Sequence, residues 1–217
     1  MAKRLSKAKQ KELAHEFAIR LNKYFPQARC ALDYDGDPFK LAIAVLLSAQ
    51  TTDKGVNKVT PLLWERYPDA HALANADFAE VEQIIKPIGF YHVKALNIIN
   101  CARLIDEKFG GKVPQTHEEL QSLPGIGRKS ANVILNEAFG ISEGIAVDTH
   151  IFRIAHRLGL SDANDALATE KDLLKVFEKE YWGNINRQGV LFGRETCIAR
   201  SPKCGTCFFA DLCPSKR

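Results

Sequence analysis

The segment Leu123-Pro-Gly-Ile-Gly-Arg-Lys-Ser130 has the pattern of a tight turn between two helices. Two glycines separated by one apolar residue allow a tight turn with exposed backbone N–H groups, and the flanking apolar periodicity predicts a helix on each side. Such N–H groups, beside the positive end of a helix, bind phosphate oxygens without reading bases. Gly125, Gly127 and Arg128 are therefore candidate contacts to a nucleic-acid backbone. A purely structural connector would have the same spacing.

The rest of the chain also has the pattern of helices, and the predicted fold class is all-α. Candidate N-cap residues stand at Asp37, Asp77 and Thr116, the last within a T-x-x-E capping box. Pro61 interrupts one helical pattern, so either that helix kinks or a new helix begins with Thr60 as its cap. The glycine turn is not a nucleotide-binding P-loop, because no strand precedes it and an arginine follows its second glycine.

Lys129 lies in the first turn of the helix that follows the glycine turn. The positive end of that helix and the adjacent Arg128 both favour the neutral amine, which is the nucleophilic form. After an apolar stretch, Asp148 is predicted to cap a helix running to about Leu158. The helix that contains Lys129 rises about 17 Å over roughly eleven residues, and residues 140–147 can reach about 25 Å. The chain can therefore return from the far end of that helix and bring Asp148 near Lys129. A simple phosphate contact for Lys129 and simple capping for Asp148 are the alternatives.

Four cysteines near the C-terminal end follow the pattern C-x6-C-x2-C-x5-C, and they are Cys197, Cys204, Cys207 and Cys213. Four thiolates in one short segment can close a cage around a zinc ion or an iron-sulfur cluster, and the spacing alone does not separate the two. Metal is predicted to order this loop-rich segment. Cys30 and Cys101 are distant in sequence and are predicted to be small buried hydrophobic residues.

The composition predicts a globular intracellular protein. The chain has 217 residues, of which 46% are hydrophobic, and this is ample for a buried core. No apolar run of about eighteen residues is present to span a membrane, and the N-terminal stretch lacks the apolar centre of a secretory signal. Residues 1–30 carry eight Lys or Arg against two acidic residues, and residues 187–217 carry six against two. Both ends are therefore expected to offer basic surface to a polyanion.

Several segments together resemble the endonuclease III family of DNA base-excision repair enzymes, within the helix-hairpin-helix glycosylase superfamily. In chain order they are Leu46-Leu-Ser-Ala-Gln-Thr-Thr-Asp53, Ile88-Gly-Phe-Tyr91, the hairpin with Lys129, Val147-Asp-Thr-His-Ile-Phe-Arg153, Gly193-Arg194 and the four cysteines. The resemblance implies a helix-hairpin-helix glycosylase fold with two lobes. A helical barrel is expected over residues 31–142, and an iron-sulfur lobe over residues 1–30 and 143–217. It also implies a [4Fe-4S] cluster on the four cysteines.

The resemblance further implies a bifunctional DNA N-glycosylase and abasic-site lyase. Such an enzyme removes oxidised or ring-damaged pyrimidines from duplex DNA and cuts the abasic strand by β-elimination. Lys129 is implied to attack the sugar C1′ and form a Schiff base, and Asp148 to stabilise the charge that develops there. The implied DNA contacts are Gln50 in the space left by the extruded base, Phe90 as a wedge on the opposite strand, and Gly125, Gly127, Arg128, Arg200 and Lys203. The implied pocket residues are Ser48, Asp53 and His150.

Two other functions compete with this one. A monofunctional mismatch glycosylase of the same superfamily uses water as its nucleophile, and Lys129 disfavours it. A noncatalytic DNA-binding protein with a zinc-ordered tail is disfavoured by the joint presence of Lys129 and Asp148. The expected partner is double-stranded DNA containing damaged pyrimidines or abasic sites, with no membrane. A monomer associated with the cytoplasm or nucleoid is expected.

Overall fold

A computed structural model describes residues 5–216, which form eleven α-helices and no strand. The helices are α1 Lys7–Tyr24, α2 Pro38–Leu47, α3 Asp53–Arg66, α4 Ala70–Ala74, α5 Phe78–Ile85, α6 Tyr91–Phe109, α7 His117–Ser122, α8 Arg128–Phe139, α9 Thr149–Arg157, α10 Ala166–Val176 and α11 Trp182–Glu195. The all-α prediction is confirmed. Among the described residues, no helix is both long and apolar enough to cross a membrane.

The helices belong to two compact units. Residues 30–141 form one, called here the central unit, which contains α2 to α8. Residues 5–29 and 142–216 form the other, called the discontinuous unit, which contains α1 and α9 to α11. The division into a helical barrel over residues 31–142 and an iron-sulfur lobe over residues 1–30 and 143–217 stays a prediction.

The core of the central unit is built around α2. Asp37 caps this helix by accepting hydrogen bonds from the N–H groups of Phe39 and Lys40, and Pro38 occupies its first position. Every residue from Leu41 to Leu47 is buried. Burying one large aliphatic side chain contributes about 1.5–3 kcal/mol, so α2 is a firm support for the segment that follows it. Both α6 and α8 pack against α2.

Local capping fixes most of the remaining helix starts. Asp77 accepts a hydrogen bond from the Glu80 N–H at 2.9 Å, and Thr116 accepts one from its capping-box partner, as predicted. The alternative in which a helix begins after Thr60 is wrong. Helix α3 begins at Asp53 with Thr52 as its cap and continues through Pro61, whose own position is exposed. Because proline lacks an N–H, α3 lacks one internal bond there without ending.

The discontinuous unit joins the first helix to the last segment of the chain. The Phe17 ring on α1 packs edge-on against Phe192 and Phe209, with centroids 5.5 Å and 5.0 Å away. Arg20 donates to the Asp211 carboxylate at 2.6 Å, and the hydrogen bond to that carboxylate is the main reason why the pKa of Arg20 is raised. Apolar packing and one Arg–Asp pair therefore hold α1 against the cysteine-containing segment.

Candidate functional site

The glycine turn joins α7 to α8, as predicted, but its two glycines have different roles. Gly125 has φ +79°, and a Cβ there would lie 2.5 Å from Cδ2 of Leu46 and 3.3 Å from Nδ2 of Asn97. Gly127 has no heavy atom within 4 Å of its missing Cβ and an ordinary φ of −89°. The fold therefore requires glycine at position 125. At position 127 glycine leaves open space in front of the backbone.

Lys129 is the second residue of α8, and its side chain is exposed. The N-cap position of this helix is occupied by Gly127, and no side chain caps it. Backbone N–H groups at the start of a helix bind anions, and in α8 they lie beside the Lys129 amine. This arrangement fits a phosphate-gripping turn that presents an amine.

The Cys30 thiol lies near several charged side chains, and Lys129 is one of them. Burial raises the pKa of this thiol, Glu137 and Asp53 raise it further, and hydrogen bonding to the backbone of Leu32 together with the Lys129 charge lowers it. Lys129 and Asp53 thus lie near one thiol within the central unit.

The prediction that Cys30 is a buried hydrophobic residue is wrong. Cys30 is only half-buried, because it lies at the edge of the core.

Cys101 is fully buried, as predicted, and burial raises its pKa to about 12. A thiol in that state is inert toward metals and electrophiles at neutral pH.

Gln50 lies in a tight turn between α2 and α3. The Ser48 hydroxyl donates to the Val45 carbonyl at 2.8 Å, and the Thr51 N–H donates to the Ser48 carbonyl at 3.0 Å. Gln50 is the third residue of this turn, has φ +53° and is exposed. Asp53 follows as the first residue of α3. The turn therefore points an amide side chain outward from a rigid helix end.

Two of the predicted DNA-contacting residues have a strained backbone. Within residues 5–216, the non-glycine residues with positive φ are Asp35, Gln50 and Phe90, at 52°, 53° and 60°. The left-handed conformation costs an L-residue about 1–2 kcal/mol, and such strain concentrates at functional sites. Phe90 precedes α6, and 65% of its surface is exposed. An exposed phenyl ring held by a strained residue fits a wedge.

Replacing Phe90 by glycine is expected to give a more stable protein than replacing it by alanine, by about 1 kcal/mol, because only alanine keeps the left-handed strain. Urea denaturation of the two variants measures the difference. Val93 is an exposed residue inside α6 and provides the control. There glycine is expected to be less stable than alanine by about 1 kcal/mol. The same order at both positions would contradict a left-handed Phe90.

Asp148 caps α9, as predicted, and uses only one of its oxygens to do so. Oδ1 accepts from the N–H groups of His150 and Ile151, both at 2.8 Å. Oδ2 has no hydrogen-bond partner among residues 5–216. The carboxylate is half-buried and belongs to the discontinuous unit, whereas Lys129 belongs to the central unit. One oxygen is therefore fixed by the helix while the other is left for a ligand.

His150 is held against α11. A Cβ on Gly193 would lie 2.8 Å from the His150 Nδ1 and 2.9 Å from its Cβ, so glycine is needed for the two helices to approach. Arg153 places one guanidinium nitrogen 3.2 Å from the same Nδ1 and donates to the Gly193 carbonyl at 2.9 Å. These contacts fix the ring within the discontinuous unit. A pocket role for His150 stays a prediction.

The four cysteines line one cavity of about 30 Å³, together with apolar residues of α9 and α11. This volume is about twice what a single water molecule needs. Burial is the main cause that raises the pKa of Cys213, and the other three thiols add to it. Across residues 5–216, no three His, Cys, Asp or Glu side chains converge on the position of a single metal ion. Four soft sulfur ligands around one shared space fit an iron-sulfur cluster.

Arg157, on α9, fastens the loop between the first two cysteines. Its guanidinium donates to the Sγ of Cys197 at 3.2 Å, and to the carbonyls of Ile198 and Ala199 at 2.9 Å and 2.7 Å. Arg200 and Lys203 lie in the same loop with exposed side chains. The loop is therefore held at its base while its two cations face solvent.

Comparisons with known proteins match nearly the whole chain. Residues 43–179 match the HhH-GPD superfamily of base excision DNA repair proteins, and residues 197–213 match the iron-sulfur binding domain of endonuclease III. Endonuclease III of Synechocystis sp. is 49% identical over 208 residues, which are 96% of this chain and 94% of that protein. The Escherichia coli K12 protein of that name is 42% identical and covers 98% of both chains. The chain belongs to the endonuclease III family.

A solved structure of a trapped endonuclease III–DNA covalent intermediate, an estranged-adenine complex, has a TM-score of 0.87 with this chain. It is 41% identical and covers 98% of this chain and 97% of that chain. The predicted helix-hairpin-helix glycosylase fold is confirmed. Membership in the endonuclease III family makes the chain a base-excision repair enzyme of the DNA glycosylase and abasic-site lyase class, with a [4Fe-4S] cluster in segment 197–213.

Replacing Arg157 by leucine is expected to weaken cluster retention about 10-fold, as is usual when a hydrogen bond to a metal ligand is lost. The rate at which visible absorbance disappears in the presence of an iron chelator measures retention. Arg103 in α6 donates to the Ala74 carbonyl of the central unit, so Arg103→Leu is the control and should keep the cluster. Equal rates for both variants would show that Arg157 does not stabilise the cluster.

Sequence reasoning missed two groups of supporting residues. One is Arg153 and Arg157, whose spacing of four residues on an amphipathic helix was a usable signal. The other is Lys94, which is buried and donates to Thr51 beside Gln50. The sequence signal was a charged residue on the apolar face of α6, since Lys94 lies beside Ala95 and four residues before Ile98.

Proposed function

We propose that this endonuclease III family member removes oxidised or ring-damaged pyrimidines from duplex DNA and then cuts the abasic strand, with Lys129 as the nucleophile. The observation that carries the proposal is the 41% identity, over 98% of the chain, with an endonuclease III that was trapped covalently on DNA. A covalent intermediate requires a nucleophile, and Lys129 is an exposed amine in the hairpin of this chain.

The proposed reaction proceeds through an iminium ion. The damaged nucleotide is extruded from the stack, at a cost of a few kcal/mol that is smaller for a weakly paired base. The neutral Lys129 Nζ attacks C1′, and the base leaves with the electrons of the glycosidic bond and takes up a proton. Asp148 uses its uncommitted Oδ2 to stabilise the positive charge that develops on the sugar. Opening of the sugar ring gives the Schiff base.

Strand scission follows from the acidity of the carbon beside the iminium. Loss of the C2′ proton forms a C2′–C3′ double bond and expels the 3′ phosphate, and water then hydrolyses the iminium and restores Lys129. Four thiolates, Cys197, Cys204, Cys207 and Cys213, hold the cluster. The bound cluster supplies a fixed scaffold for its loop rather than a reacting group.

The proposed DNA contacts are distributed over exposed turns. Gln50 fills the space left by the extruded nucleotide, and Phe90 wedges the opposite strand. Phosphates are contacted by the backbone N–H groups of Gly125 and Gly127. They are also contacted by the cationic side chains of Arg128, Arg200 and Lys203. Ser48, Asp53 and His150 complete the pocket. The enzyme works as a monomer on nucleoid DNA, and a mass measurement in solution tests the oligomeric part.

Borohydride trapping on a panel of duplexes tests the proposed substrate. An intact oxidised pyrimidine, an oxidised purine and a preformed abasic site are each placed at the same position of one duplex. We expect covalent adducts with the oxidised pyrimidine and the abasic site, and little with the purine. Adducts with the abasic site alone would contradict glycosylase action on pyrimidines, and no adduct at all would contradict an amine nucleophile.

A further inference from the structure

Lys94 is a buried lysine that the proposed reaction does not use. It lies in the first turn of α6, and only 6% of its surface is exposed. No carboxylate among the described residues pairs with it, and burial lowers its pKa. A buried charge without a counterion is unfavourable for the fold, so stability alone does not account for a lysine at this position. Its amine instead donates to the Thr51 hydroxyl at 2.5 Å.

The Thr51 hydroxyl passes this contact on to the backbone around Gln50. It accepts from Lys94 and donates in turn to the Ala49 carbonyl, at a longer 3.5 Å. The Thr51 N–H closes the turn onto Ser48. The residues on both sides of Gln50 are thus linked to the Lys94 amine, and Gln50 itself has the left-handed φ of 53°. Through this network, α6 stabilises the turn that contains Gln50.

Helix α6 connects this turn to two other DNA-facing features. Phe90 stands immediately before the helix, and Lys94 and Asn97 follow at spacings of four and three residues, which place them on one side. The Asn97 amide packs beside Gly125, 3.3 Å from where a Cβ would stand. One helix therefore contacts the wedge, the Gln50 turn and the hairpin.

We propose that Lys94 is a positioning residue that, through Thr51, holds Gln50 in the conformation that fills the space of the extruded nucleotide. The inference rests on the proposed function of Gln50. Lys94 acts before the chemistry, by keeping the nucleotide out of the stack. It has no part in bond formation at C1′.

A double-mutant cycle on the full chain with its cluster tests this role. Single-turnover excision of an oxidised pyrimidine from duplex DNA is measured for Lys94→Met, Thr51→Val, Gln50→Ala and the two pairwise combinations with Gln50→Ala. Each single change is expected to slow excision about 10-fold or more, since small displacements of a positioning group have effects of this order. In the Gln50→Ala background, Lys94→Met and Thr51→Val should have no further effect. Additive effects, or an unchanged Lys94→Met rate, would overturn the proposal.

Two control variants separate positioning from a general loss of stability or of positive charge. Thr51→Ser keeps the hydroxyl and should excise like the unmodified protein, and a rate as low as that of Thr51→Val would count against the hydrogen-bond network. Lys108→Met removes an exposed lysine from the same helix and should change nothing. If Lys94→Met does not fold, Thr51→Val carries the cycle.

Borohydride trapping on single-stranded abasic DNA, which has no stack to fill, distinguishes this inference from the proposed function. Lys94→Met should form this adduct as fast as the unmodified protein. Loss of the adduct in Lys94→Met alone would show a chemical role and overturn positioning. Absence of the adduct in the unmodified protein would refute the proposed nucleophilic mechanism itself.

Discussion

Replacing Lys129 by alanine is expected to abolish the borohydride-trapped adduct and to lower strand scission by a factor on the order of 10³ or more, because the variant has no amine to attack C1′. Folding should not suffer. A cation in the first turn of a helix opposes the helix dipole, and removing it is worth about 0.3–1 kcal/mol in favour of the fold. If Lys129→Ala loses activity while its unfolding midpoint is unchanged or raised, Lys129 is the nucleophile.

The chain offers a matched control for this change. Lys54 is the second residue of α3, as Lys129 is of α8, and both side chains are exposed. Lys54→Ala therefore has the same effect on a helix dipole and should leave the trapped adduct in place. If Lys129→Ala still forms the adduct at the normal rate, another amine is the nucleophile and the assignment is wrong.

Replacing Asp148 by asparagine is expected to slow base excision by about 10²- to 10⁴-fold. Stability should fall by no more than the roughly 0.3–1 kcal/mol that one negative charge contributes at a helix N-terminus. Asparagine caps a helix as well as aspartate does, so the bonds to the first turn of α9 survive and only the negative charge is lost. Asp148→Ala should show the same loss of rate and, in addition, about 1 kcal/mol of destabilisation from the missing cap. Single-turnover rates and urea denaturation measure the two effects separately.

Asp77 provides the comparison, because it caps α5 by accepting a hydrogen bond from a backbone N–H and has no proposed role in the reaction. Asp77→Asn should leave the rate unchanged and lower stability by the same small amount. If the Asp148→Asn protein excises bases at the normal rate, Asp148 only caps α9 and has no role in the reaction. The uncommitted Oδ2 is the structural reason to expect otherwise.

Sequence reasoning succeeded where structure is determined locally. The caps at Asp77, Thr116 and Asp148 depend on bonds between residues two or three apart, and all three are present. The glycine turn and the helices on either side of it follow from short-range sequence patterns for the same reason. The all-α class could therefore be predicted before any coordinates were known.

The parts that sequence reasoning missed depend on distant contacts. The Lys94–Thr51 bond joins residues 43 positions apart, and the bond from Arg157 to the Cys197 sulfur spans 40. The left-handed conformation of Gln50 also has no local signal, since it is held by such contacts against its own preference. The predicted approach of Asp148 to Lys129 concerns residues of two different units and stays a prediction.

The division of one unit between both ends of the chain has a consequence for biosynthesis. The apolar partners of α1 lie almost entirely beyond residue 142, so this helix is synthesised well before the residues that cover it. The core of the central unit lies wholly within residues 30–141 and can assemble while translation continues. Until those later residues are synthesised, the apolar stripe of α1 stays exposed to water.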